Sequence, residues 1–255
     1  MTESRLAGTI RALAERSHPV QPAPAAFAAG RILSVAVSFA VVGALAQAAV
    51  GIVNGIVLKR RSGLLDPDAE YTVFAWASGV ATFSAALAAL LMGIIWRTRR
   101  VQLLVLAAFM TFYSADDMLV IHEPLTAKVF GGIFGLPSGL GGRMSAVLYF
   151  PLLGATAVLL LLEARRMPLR AARFVVVGLA CLAGGVLLEL VNGALNAADL
   201  ISFRDTWDVL IAMTEESIEL AGWILVAGAL LSVLCGRLVE QGLGVATRGA
   251  SGGRA

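Results

Sequence analysis

Long apolar stretches alternate along most of the chain with short segments rich in arginine, glycine or proline. Several stretches reach 20 residues or more, the length a helix needs to cross about 30 Å of hydrocarbon. This pattern predicts an all-α bundle over 31–236, embedded in the lipid bilayer. Its six membrane-spanning helices are expected at about 32–58, 71–95, 101–122, 145–164, 174–197 and 207–235.

The two ends of the chain depart from this pattern. In residues 1–30, three arginines interrupt the sequence before a secretory signal could form: Arg5, Arg11 and Arg16. This segment is expected to be a cytoplasmic tail, either disordered or containing a short amphipathic helix. Residues 237–255 become rich in glycine and polar residues, and a disordered cytoplasmic tail is expected there.

Composition and charge support a membrane protein with both termini in the cytoplasm. The chain is 58% hydrophobic and 15% charged, against about 45–50% and about 25% in soluble domains. If both termini lie on the cytoplasmic side of the cell's inner (plasma) membrane, 14 of the 20 Lys and Arg residues are cytoplasmic. This distribution is the one that the positive-inside rule describes. These residues are spread over loops and tails, which argues against a nucleic-acid partner.

Ionisable residues inside three of the predicted spans are the main functional signal. Such residues are costly in a membrane and are functional candidates by default. Counted at about 1.5 Å per residue, Asp116 and Glu189 lie at the same depth in the outer half of the bilayer. The interiors of the third, fifth and sixth spans contain no Lys or Arg. Their acidic and histidine side chains are Asp116, Asp117, His122, Glu123, Glu189, Glu215, Glu216 and Glu219.

Like charges packed together in a membrane require protons or a bound cation. One interpretation is therefore a site for a divalent metal, with Fe, Mn, Zn, Mg and Ca all compatible with oxygen-rich ligation. The predicted ligands are Asp116, Glu123, Glu189, Glu216, Glu219 and His122. The candidate catalytic groups, which could activate a metal-bound water, are His122, Asp117 and Glu215. The expected function is a metal-dependent membrane enzyme acting on a lipid or small apolar substrate.

Two other functions fit the same residues. In a cation- or proton-coupled transporter, the segments 114–118 and 213–217 would be halves of an inverted repeat. In a structural scaffold, the acids would be protonated and would form hydrogen bonds between helices. The expected partners are then Tyr113, Ser114, Asn192, Asn196 and Thr214.

Two further features offer weaker signals. Ser114 precedes His122 by eight residues, or about 12 Å along a helix, which is too far for a serine nucleophile and its base unless the helix breaks. The glycine-rich, apolar segment 131–142 cannot form a regular helix. It is expected to be either an interfacial loop or a lid over the site.

The motif Ser114-x-Asp116-Asp117-x4-His122-Glu123, followed by a lone Glu and then Glu-Glu-x-x-Glu, resembles an uncharacterised group of bacterial and archaeal multi-span membrane proteins. Their motif reads Ser-x-Asp-Glu-x4-His-Glu, and the likeness covers roughly the third to the sixth span. The chain departs from it at Asp117, where the group usually has Glu. The resemblance implies that these residues form one site, and it implies no particular activity.

Overall fold

Six α-helices make up the part of the chain that the computed structural model describes, namely residues 24–59, 62–66, 72–119, 121, 145–198, 200–201 and 206–251. The prediction of an all-α fold is confirmed. The helices are α1 (Pro24–Ile52), α2 (Val73–Ile95), α3 (Arg100–Leu119), α4 (Ser145–Ala164), α5 (Leu169–Ala197) and α6 (Thr206–Ser251).

Four segments within the described residues are long and apolar enough to cross a membrane: Phe27–Val57, Val73–Ile95, Leu169–Asn196 and Thr206–Glu240. They indicate a membrane protein. A shorter apolar helix, Tyr149–Ala164, lies within α4. The count of six spans stays a prediction.

Some helix boundaries differ from those expected. α1 begins at Pro24, inside the predicted tail, and continues beyond Ile52 as a π-helical turn over Val53–Val57. α6 continues to Ser251, although disorder is expected from residue 237. The last proline in the chain is Pro168, so nothing in this segment removes a helical hydrogen bond, and leucine, glutamine and alanine favour continuation.

α6 lies at the centre of the bundle. It has its largest interfaces with α1 and α5 and a smaller one with α2, while α2 packs against α3. α4 has lesser contacts with α3 and α5. Three helices that carry predicted site residues, α3, α5 and α6, therefore belong to one packed unit.

Small residues allow α1 to approach α6 closely. A Cβ atom added at Gly51 would lie 2.7 Å from Cγ of Met213, and one added at Gly55 would overlap Val209. The two pairs are four residues apart on both helices, so one face of α1 follows one face of α6. This is the small-residue packing typical of helices in membranes.

The two ends of the bundle differ in polarity. We call the end that contains Arg97–Arg100 and Arg165–Arg173 the inner end, and the opposite end the outer end. Towards the inner end the core consists of fully buried apolar side chains from four helices. They include Met92, Leu103, Leu106, Leu160, Val226 and Leu230. The predicted site residues of α3, α5 and α6 lie nearer the outer end.

Candidate functional site

Glycines bring the backbones of α5 and α6 together just below the acidic residues. A Cβ atom at Gly178 would lie 2.8 Å from the carbonyl oxygen of Gly222, and one at Gly222 would lie 2.9 Å from that of Gly178. Two turns further along α5, a Cβ atom at Gly185 would lie 2.5 Å from Cγ and 2.9 Å from Oε1 of Glu219. The absence of a side chain at Gly185 therefore makes room for the Glu219 carboxylate against α5.

Two acidic residues from two other helices lie within electrostatic reach of Glu219. Asp117 of α3 and Glu189 of α5 are the carboxylates that act electrostatically on it. Glu219 and Asp117 are half-buried, whereas Glu189 is exposed. The described residues provide no Lys, Arg or His ion pair to Glu219. The predicted convergence of acids from α3, α5 and α6 on one site stays a prediction.

α3 is fixed to its neighbours beside these acids. Asp116 is 4% exposed, and its charge acts on Tyr113, which lies against Thr156 of α4. The Ser114 hydroxyl donates a 2.8 Å hydrogen bond to the carbonyl oxygen of Gly79 on α2. Ser114 therefore joins two helices, which leaves less reason to regard it as a nucleophile.

Four of the five hydrogen-bonding side chains expected to support a scaffold donate to groups other than the predicted site acids. The Thr214 hydroxyl donates to the carbonyl oxygen of Leu210 at 2.6 Å, just as Ser114 donates to a backbone carbonyl. Asn192 and Asn196 both donate to Asp208. Glu215 and Glu216 are half-buried on α6, one turn nearer the outer end than Glu219.

Asp208 is a buried acid that the sequence reasoning missed. Its carboxylate is 1% exposed and accepts hydrogen bonds from Nδ2 of Asn192 at 3.1 Å and from Nδ2 of Asn196 at 3.2 Å. The signal was the pair of asparagines four residues apart on one face of α5. This pair ties the outer end of α5 to the first turn of α6.

Glu163 is a second buried acid that sequence reasoning missed, and it lies at the inner end. Its side chain is fully buried, and Oε2 forms a 2.7 Å ion pair with Nη1 of Arg99. Nη1 of Arg166 lies 3.7 Å from the other oxygen. The signal was a lone acid at the end of an apolar run, with two arginines two and three residues further on.

Two polar side chains of α1 differ in how they are bound. Asn54 is fully buried and exchanges two hydrogen bonds with Ser62, one to its carbonyl oxygen at 2.9 Å and one from its N–H at 3.2 Å. Gln47 is 6% exposed, and neither amide atom has a partner in the described part of the chain. Gln47 lies between Gly43, which faces Leu220, and Gly51, which faces Met213, and so at the level of Glu216.

The metal ligand set stays a prediction. Among the described residues, no group of three or more His, Cys, Asp or Glu side chains could hold a metal ion. His122 and Glu123 lie outside the described residues, as does the segment 131–142.

Comparison with known proteins gives a family without an assigned activity. Neither the curated proteins nor the solved structures gave a match. A family described as "Domain of unknown function (DUF8692)" matches residues 32–234, which include all six helices in whole or in large part. The chain therefore belongs to the DUF8692 family.

Proposed function

We propose that this protein is a metal-dependent membrane enzyme that binds a divalent cation among the outer acids of α3, α5 and α6 and acts on a lipid or other apolar substrate. Its first-choice ligands are Asp116, Glu189, Glu216 and Glu219. His122 and Glu123 complete the ligand set, and Asp117, His122 and Glu215 are the candidate groups for proton transfer.

The surroundings of Glu219 carry this proposal. Its carboxylate lies against Gly185, and its charged neighbours are Asp117 and Glu189. Repulsion between like charges disfavours the state in which all three carboxylates are ionised. This repulsion is stronger in a low-dielectric environment than in water. A cation that binds between these carboxylates reduces their repulsion, and this reduction favours cation binding.

The exposure of Glu189 supports an apolar substrate. Glu189 is exposed, and the large apolar side chains beside it on α5 are exposed too: Leu187, Leu190 and Val191. In a bilayer such a surface faces lipid. A lipid could therefore reach the acids sideways from the membrane.

A cation- or proton-coupled transporter is the second candidate. The observation in its favour is the buried amide of Gln47, because a buried polar group without a partner calls for a ligand or water. The apolar side chains towards the inner end oppose it, since Leu103, Leu106 and Val226 are fully buried there. We therefore rank transport below catalysis.

Metal content tests the binding step. Detergent-purified wild type, Asp116→Asn, Glu219→Gln and the control Glu240→Gln would be compared by plasma mass spectrometry after gentle purification and metal addition. Glu240 is an exposed acid whose carboxylate pairs with Arg237. We expect stoichiometric metal in the wild type and the control, and loss of metal in the other two variants. Metal-free wild type would overturn the proposal.

Product analysis and flux separate the two candidate functions. Metal-loaded protein would be incubated with a lipid extract and the lipids compared by mass spectrometry, with Glu219→Gln as the inactive control. Conversion of a lipid only by the wild type supports the enzyme. Cation- or proton-linked flux in liposomes, without any converted lipid, supports the transporter instead.

A further inference from the structure

An apolar groove runs along the outside of α6 between α1 and α5. Its floor and walls are formed by Val37, Val41 and Leu45 of α1, Val177 of α5, and Ala221 and Leu225 of α6. The volume is about 530 Å³, within the range of about 300–1,000 Å³ that is usual for ligand sites. No acidic side chain lines it, so it is separate from the site around Glu219.

The groove continues towards the inner end. A second cavity of about 320 Å³ adjoins it and shares two of its lining residues, Val37 and Phe174. Gly30 lines this part, and a Cβ atom there would meet nothing within 4 Å. The gap between α1 and α5 therefore stays open down to the arginine-rich end.

Two arginines stand at the inner part of this groove. Arg173 lines the larger cavity and Arg170 the smaller one. They are three residues apart on α5 and therefore lie on the same side of the helix. Both are exposed, and within the described residues neither forms an ion pair. Two guanidinium groups beside an apolar groove offer paired donors to a phosphate.

We propose that this groove binds one anionic phospholipid. Its phosphate and headgroup lie at Arg170 and Arg173, and one acyl chain follows the apolar lining towards Leu45 and Ala221. The charge pattern selects the occupant, because basic pockets between membrane helices at the arginine-rich side favour acidic headgroups. This site does not depend on the proposed cation site.

Native mass spectrometry of the full chain in detergent tests the proposal. Phosphatidylglycerol and phosphatidylcholine with identical acyl chains would be added in equal amounts. We expect one bound lipid per chain, with phosphatidylglycerol preferred about tenfold. The double variant Arg170→Gln/Arg173→Gln should bind both lipids equally. The control Arg165→Gln/Arg237→Gln removes the same charge at the same end, outside the groove, and should keep the preference.

A second variant tests the acyl-chain part. Ala44→Phe places a large side chain among the groove residues and should lower the binding of both lipids, while the unfolding transition stays that of the wild type. Equal binding of the two lipids by the wild type would overturn the proposal. So would equal loss of preference in the control variant, or dimers in place of lipid adducts, which would assign the groove to a second copy of the chain.

Discussion

Glu163 and Glu219 are both carboxylates held inside the bundle, but their electrostatic surroundings are opposite. At the inner end, Glu163 has Arg99 at 2.7 Å and Arg166 nearby. Towards the outer end, the charges around Glu219 are those of Asp117 and Glu189. The neighbour that acts on Glu163 is thus an arginine, whereas the neighbours that act on Glu219 are acids.

This difference suggests separate roles for the two regions. A buried charge with a fitted partner holds helices together, and here it links the turn before α3 to the end of α4. An ionised carboxylate beside other carboxylates adds no such stability. On the proposed function, the ionised form of Glu219 is stabilised when a cation binds. We therefore expect substitution of Glu163 and substitution of Glu219 to change stability in opposite directions.

The largest expected effect is at the inner pair. Arg99→Ala leaves the Glu163 carboxylate buried with only the more distant Arg166, so the free energy of unfolding should fall by about 3 kcal/mol. The control Arg97→Ala removes an exposed arginine from the same 3₁₀ turn. Equilibrium unfolding in mixed detergent micelles measures both. Equal stability of the two variants would contradict the structural role of the pair.

The next effect concerns Asp208 at the outer end, which accepts hydrogen bonds from two asparagines of α5. Asp208→Ala leaves the Asn192 and Asn196 amides without their acceptor, so the free energy of unfolding should fall by about 2 kcal/mol. Asp208→Asn keeps one carbonyl oxygen and should lose less. The same unfolding measurement applies. If Asp208→Asn is the less stable of the two, the charge of Asp208 matters more than its hydrogen bonds.

A smaller effect is expected at the glycine beside Glu219. Gly185→Ala pushes the carboxylate away from α5 and should weaken cation binding about tenfold, which corresponds to about 1.4 kcal/mol. Gly184→Ala is the matched control, because its Cβ atom would meet only Ile218, at 3.9 Å. Titration calorimetry with the metal found in the wild type measures both. Equal affinities would mean that the position of Glu219 is unimportant for binding.

The smallest expected effect is a rise in the free energy of unfolding, at Glu219. Without added metal and with chelator present, Glu219→Gln removes one of several like charges and should raise the free energy of unfolding by about 1 kcal/mol. Glu163→Gln should lower it under the same conditions, because it breaks an ion pair. A fall in both variants would remove the contrast between the two regions.

The helices were predictable because their length follows from the thickness of the bilayer. α4 was expected at 145–164 and is observed at Ser145–Ala164, and α2 was expected at 71–95 and is observed at Val73–Ile95. The end of α6 was not predictable in this way, because residues beyond the membrane are not limited by its thickness. Beyond the membrane, helix propensity alone determines where α6 ends, and the glycines in this segment led to the prediction of disorder.

Rise per residue predicts similar depths for the acids of the three helices, and in the structure Asp117 and Glu189 act electrostatically on Glu219. The sequence did not predict which side chains pair across helices. Asp208 and Glu163 were missed because their partners lie on other elements, and a single sequence does not say which helices are neighbours. For the same reason the sequence did not show which of Gly184 and Gly185 faces Glu219. Only the packing of α6 against α5 distinguishes the two glycines.

Cation-dependent stability is the most direct test of the central claim, that the outer acids bind a cation. Unfolding of the wild type, Glu219→Gln and Glu240→Gln would be followed at constant pH while Fe²⁺, Mn²⁺, Zn²⁺, Mg²⁺ or Ca²⁺ is added. At a metal concentration 100 times its dissociation constant, the wild type and Glu240→Gln should gain about 2.7 kcal/mol, and Glu219→Gln should gain almost nothing. A wild type that no cation stabilises, or a Glu219→Gln variant that keeps the full gain, would contradict the claim.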